Sequence, residues 1–144
     1  MKWLILLHVL GATIWAGGHL ILTLGFLPRA LRDKDITTIV NFETNYERIG
    51  IPALIIQVIT GFWMVLYYVP FSYWWSLDSP HHYYLWIKIS LLLGTILLAV
   101  HARLFIIPKL TVERLPSLAF HIVLATLLAV AFVITGLSFR FTYF

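Results

Sequence analysis

The chain has 144 residues, 61% of them hydrophobic and only 11% charged, with a mean hydropathy of +0.93. That balance excludes an ordinary water-soluble domain and points to an integral membrane protein. There is no cysteine, which excludes disulfides, thiolate metal sites and cysteine redox chemistry. The net charge of +4 falls between apolar stretches, where it reads as a determinant of membrane orientation rather than of nucleic-acid binding.

Four apolar stretches can be marked, at 3–27, 51–69, 84–107 and 116–138. A helix needs about 20 residues to cross some 30 Å of hydrocarbon, so the expected fold is all-α, a single four-helix membrane bundle. The first stretch has no charge between Lys2 and Arg29. It is too long, and too poor in a small-residue cleavage pattern, to read as a removable signal peptide, so it counts as the first span. It carries His8 and His19, an eleven-residue step that is close to three turns, so both imidazoles lie on nearly one face, roughly 16 Å apart. Trp15 shares that face. Gly11, Ala12, Ala16, Gly17 and Gly18 leave room for a neighbouring backbone or a flat ligand. An imidazole in lipid needs a partner, which makes this stripe a candidate functional site.

The connection at 28–50 is amphipathic, with Ile36, Ile39, Val40 and Phe42 among Asp33, Asp35, Glu43 and Glu47. It is expected to extend the second helix near the headgroups, its charges forming a solvated face. Pro52 suits the first turn of the second span, and Gln57 in mid-span is expected to tie helices together. The loop at 70–83 and its flanks are crowded with aromatics from Tyr67 to Trp86, an interfacial belt broken by Pro70 and Pro80. His81 and His82 in this loop read as solvated, with nothing nearby to complete a coordination set.

The third span contains Lys88, His101 and Arg103, and the fourth contains His121. Counted from the helix starts at about 1.5 Å per residue, His19, His101 and His121 land in one layer, with His8 and Lys88 in the other. Three imidazoles from three helices at one depth are a metal-site candidate, and axial ligation of haem iron would draw on the same set. The plainer alternative pairs each ring with a backbone carbonyl or with Thr and Gln from a neighbour. Haem b is the first cofactor expected, with Trp15 at its edge and Arg29 or Arg103 at its propionates. Copper held by imidazoles is the alternative; a thioether-lined copper conduit is disfavoured because Met1 and Met64 are the only methionines.

Lys and Arg concentrate in the first and third connections, at Arg29, Arg32, Lys34, Arg48, Lys109 and Arg114, with Lys2 and Arg140 opposite. Both termini are therefore expected on the outer side, in a bacterial inner membrane. The runs Leu6 to Leu31, Phe42 to Trp63, Trp86 to Leu110 and Leu118 to Phe141 together resemble the small four-helix members of the CopD copper-resistance family. The specific marks are His8, Trp15-Ala16-Gly17-Gly18-His19, Leu27-Pro28-Arg29, Ile51-Pro52 and His121. The frame is also similar to HemJ, a haem-binding membrane protoporphyrinogen oxidase, through His8, Leu27-Pro28-Arg29 and Lys88. HemJ proteins carry Tyr-His where this chain has Ala30-Leu31-Arg32-Asp33, and generally lack His19 and His121, so the CopD-like branch is the closer one. The resulting expectation is a haem b redox protein exchanging electrons with a quinone, a porphyrinogen or another redox protein in the bilayer. Its alternative is a copper-binding or copper-transport protein with His8 and Lys88 at an outer entry.

Overall fold

A computed structural model describes the backbone of residues 1–75 and 80–141, and their side chains except those of 80–82 and 139–141. The expectations for His81, His82 and Arg140 therefore fall outside the described side chains. Five α-helices order the described chain: α1 (Lys2–Ile21), α2 (Leu27–Asp33), α3 (Ile36–Tyr68), α4 (Pro80–His101) and α5 (Leu115–Phe141). With their continuations they make four helices long and apolar enough to cross a membrane: Lys2–Asp33, Ile36–Tyr68, Tyr83–Lys109 and Val112–Ser138. Their outward faces are apolar, as with Leu24, Leu66 and Leu97, and this is the surface that lipid solvates.

Two of the spans end in the same way. A π-helical turn at Leu22–Phe26 joins α1 to α2 just before Pro28, and another at Ala102–Ile106 follows α4 just before Pro108. Proline cannot donate to the carbonyl four residues back and its ring crowds that carbonyl, so a locally wider turn absorbs the mismatch without breaking the helix. The connection read at 28–50 is consequently mostly helical. Only Lys34 and Asp35 separate α2 from α3, with Lys34 in the left-handed region (φ 54°). Asp35 then caps α3, accepting from the backbone N–H of Thr37 at 2.9 Å and of Thr38 at 3.4 Å. Hydrogen bonds from the Thr37 and Thr38 hydroxyls, followed by these backbone bonds, hold its carboxyl down at about 2. From Ile36, α3 runs without interruption through Pro52 to Tyr68.

Side-chain packing is densest where these connections meet. Leu22, Leu27, Ala30, Ile39, Leu115, Leu118, Ala119 and Ile122 form one buried cluster at that end of the bundle. Further along, α1 and α3 close on each other through small residues. A Cβ placed on Gly11 would lie 2.8 Å from the Ala53 carbonyl oxygen, so only glycine admits that approach. Thr23 and Thr126 join α1 to α5 by a hydroxyl–hydroxyl bond of 2.6 Å, and Thr126 also reaches the His19 carbonyl at 3.2 Å.

Candidate metal centre

Two of the three histidines expected in one layer meet. His101, the last residue of α4, and His121, on the second turn of α5, bring Nδ1 and Nε2 to 2.8 Å. The ring planes differ by 6° and the centroids lie 5.0 Å apart. With the nitrogens so close and the centres so far apart, the rings meet edge to edge, each nitrogen aimed along the line of centres. His121 Nδ1 lies 2.8 Å from the Ser117 carbonyl oxygen. A carbonyl can only accept, so Nδ1 carries the proton. In the neutral ring, His121 Nε2 therefore offers a lone pair, and His101 Nδ1–H donates to it. The pair lies on the outside of the fold, flanked by the exposed rings of Phe105 (5.3 Å from His101) and Phe120 (5.9 Å from His121).

His19 stands apart from this pair. Its Nδ1–H donates to the Trp15 carbonyl at 2.9 Å, one turn back along α1. The Trp15 indole lies over it at 4.4 Å, and the Tyr46 ring meets it edge-on at 5.8 Å. Tyr46 is wedged between Gly18 and Gly50, and its hydroxyl donates to the Ile14 and Trp15 carbonyls at 3.0 Å each. Phe42 stacks on Tyr46 and Phe26 lies 4.9 Å beyond, so His19 ends an aromatic row between α1 and α3. The third site is at the other end of α1. His8 Nδ1–H is shared between the Gln57 carbonyl at 2.9 Å and Thr60 Oγ1 at 3.1 Å, its ring fitting over Gly61. Lys88 lies within electrostatic reach of this ring. Gln57, expected to tie helices through its side chain, does so through its backbone, and its Oε1 is buried without a hydrogen-bond partner.

The arginines expected near cofactor propionates are engaged elsewhere. Arg29 pairs with Asp33 at 3.4 Å, and Arg103 pairs with Glu47 of α3. Among the described residues, no three His, Cys, Asp or Glu side chains gather closely enough to hold a metal ion. The depth count overlooked how α1 and α5 are set against each other. Thr126, five residues beyond His121, is level with His19, which puts His121 about 7 Å along the bundle from it. Depth also carries no information about facing: His19 turns to α3, His121 to α4.

Haem b finds no support in this arrangement. An imidazole nitrogen sits about 2.0 Å from a bound metal, so an axial pair needs about 4 Å with a porphyrin disc between the rings. His101 and His121 are at 2.8 Å, at a seam where α4 and α5 pack directly through Gly94 and Leu128. Among the described residues, His8 faces Gln57 and Thr60 and His19 faces Trp15 and Tyr46, not a second imidazole. Copper needs no disc. His8, His19 and His121 each anchor Nδ1 on a backbone carbonyl, which fixes the tautomer and leaves Nε2 as the donor atom, as second partners do for metal-bound histidines.

Two features at this site were hidden in the sequence. Glu47 reads as part of a solvated face, yet it takes Arg103, and Tyr46, which the amphipathic pattern does not single out, packs on α1. The signal that could have found Tyr46 is the pair Gly18 and Gly50, whose missing side chains make the slot it fills. Compared with known families, residues 40–139 match the family described as copper resistance protein D. No curated protein and no solved structure matches the chain.

Proposed function

Since the chain belongs to the copper resistance protein D family, we propose that it binds and moves copper within a membrane, using imidazole nitrogens as ligands. The observation that carries this reading is the meeting of His101 and His121 from separate helices, nitrogen to nitrogen, with His121 held in the metal-binding tautomer. Imidazole suits copper, and with no cysteine and only Met1 and Met64 the chain has little softer to offer. His8, at the far end of α1, is the entry position in this reading, and the His101–His121 pair the inner position. The surplus of Lys and Arg in the first and third connections supports an orientation with both termini outside, in a bacterial inner membrane.

The test is metal analysis and an absorbance spectrum of the purified protein in detergent. The expected result is stoichiometric copper without a Soret band, falling on His121→Ala. A Soret band that shifts on dithionite reduction, or protein that takes up no copper, would overturn the proposal.

A further inference from the structure

We propose that the inner pair binds cuprous copper in a two-coordinate, nearly linear site between His101 Nδ1 and His121 Nε2, in the place the hydrogen bond now occupies. This rests on the copper reading above and assigns the oxidation state, the ligand number and the atoms.

The rings lie in nearly parallel planes, with the two nitrogens aimed at each other along the line of centres. That is the approach of two donors to a linear ion. Cupric copper prefers four donors in a tetragonal plane, and zinc four in a tetrahedron. The described residues offer no third His, Cys, Asp or Glu at this place. Cuprous copper, a closed-shell ion without ligand-field preference, accepts two. Arg103, two residues past His101, pairs with Glu47 on α3.

Insertion requires the nitrogens to move from 2.8 Å to about 4 Å, twice a metal–imidazole bond of about 2.0 Å. The two rings are not equally free to move. His121 is tethered through Nδ1 to Ser117, whereas His101 is exposed at the end of α4, where the helix widens into its π-helical turn. His101 is therefore the ring that swings, and His121 the fixed ligand. The proton on His101 moves from Nδ1 to Nε2 of the same ring, which frees Nδ1 as the donor atom. Both imidazoles remain neutral, and the only charge added is that of the ion.

The experiment supplies cuprous copper, generated anaerobically with ascorbate, to the full chain in detergent, and uses X-ray absorption to count nitrogen neighbours. One copper per chain with two nitrogen neighbours is expected, together with much weaker uptake of cupric copper. His101→Ala and His101→Gln should weaken uptake by more than the roughly 10–100-fold that loss of an outer partner costs. Because His101 is exposed, both variants should keep wild-type helicity and elution. Three or four nitrogen neighbours would overturn the proposal, as would one copper per two chains in a copper-dependent dimer. So would uptake that survives both His101 variants and disappears with His8→Ala or His19→Ala, a result that leaves copper handling intact. Failure of the wild-type chain to take copper in either oxidation state would instead defeat the functional reading itself.

Discussion

Gly17 and Gly18 are neighbours in one helix, and the same substitution at each should change stability in opposite directions. A Cβ at Gly17 meets nothing within 4 Å. Gly17→Ala should therefore recover the helix-propensity cost of glycine and stabilise by roughly 0.5–1 kcal/mol. A Cβ at Gly18 would run into the ring and hydroxyl of Tyr46. That ring has little room to retreat: a Cβ at Gly50 on its other side would lie 2.8 Å from it, and its hydroxyl holds the Ile14 and Trp15 carbonyls at 3.0 Å. Overpacking of this kind costs about 1–3 kcal/mol, and losing the hydroxyl's bonds adds about 0.5–1.5 kcal/mol. Set against a propensity gain of about 0.5–1 kcal/mol, Gly18→Ala should destabilise by about 0.5–4 kcal/mol. Reversible unfolding in mixed micelles, followed by helicity, would measure both variants, and tryptophan emission would report whether Trp15 moves. Equal shifts for the two variants, or a Gly18→Ala protein as stable as wild type, would refute the wedge.

Thr126→Val removes bonds to the Thr23 hydroxyl at 2.6 Å and the His19 carbonyl at 3.2 Å, and should lower stability in the same unfolding assay by about 0.6–1.7 kcal/mol, the range for hydrogen bonds between membrane helices. Gly61→Ala places a Cβ 3.0 Å from His8 Cε1 and should displace that ring; nitrogen NMR of His8 would show its Nδ1 proton exchanging faster, and an unchanged signal would argue against the slot. The Asp35 cap has its folded pKa lowered to about 2, so its contribution is complete above the ordinary carboxyl range near 4 and is lost as pH falls through about 2. Amide exchange at Thr37 and Thr38 should accelerate over that window in wild type and show no such transition in Asp35→Ala. For topology, a cysteine at Lys34 should resist an impermeant thiol reagent applied from outside and one at Lys2 should react; the reverse pattern would invert the proposed orientation.

The membrane class and the four spans were readable from composition and apolar run length, because burial in lipid requires both and nothing else in a chain this short produces them. The joint between α2 and α3 was not readable. It is made at Lys34, a lysine in a left-handed conformation, where the usual signal is glycine. The π-helical turns were foreshadowed by Pro28 and Pro108, though proline by itself does not say whether a helix will bend, stop or widen. The amphipathic look of residues 36–50 was also ambiguous. Ile39 and Phe42 do face the core, yet Glu47, which read as solvent-facing, pairs with Arg103, and Tyr46 completes a contact to α1.

The histidines show where such reading stops. Hydropathy places a residue along the membrane normal only to within a turn or two, as the offset of His121 from His19 shows, and rotation about that normal is set by which small residues let which helices close. Gly11 and Gly18 draw α1 onto α3, which turns His8 toward Gln57 and His19 toward Tyr46. Gly94 faces Leu128 on α5 with room for a Cβ at an ordinary contact distance of 4.0 Å, and further along the same seam His101 meets His121. On the α1–α3 seam the glycines therefore decide what His8 and His19 face. A bulky side chain at the α4–α5 seam should disturb the copper pair without touching either histidine: Gly94→Leu should reduce copper uptake while leaving His8 in place, whereas undiminished copper uptake would place the metal away from that seam.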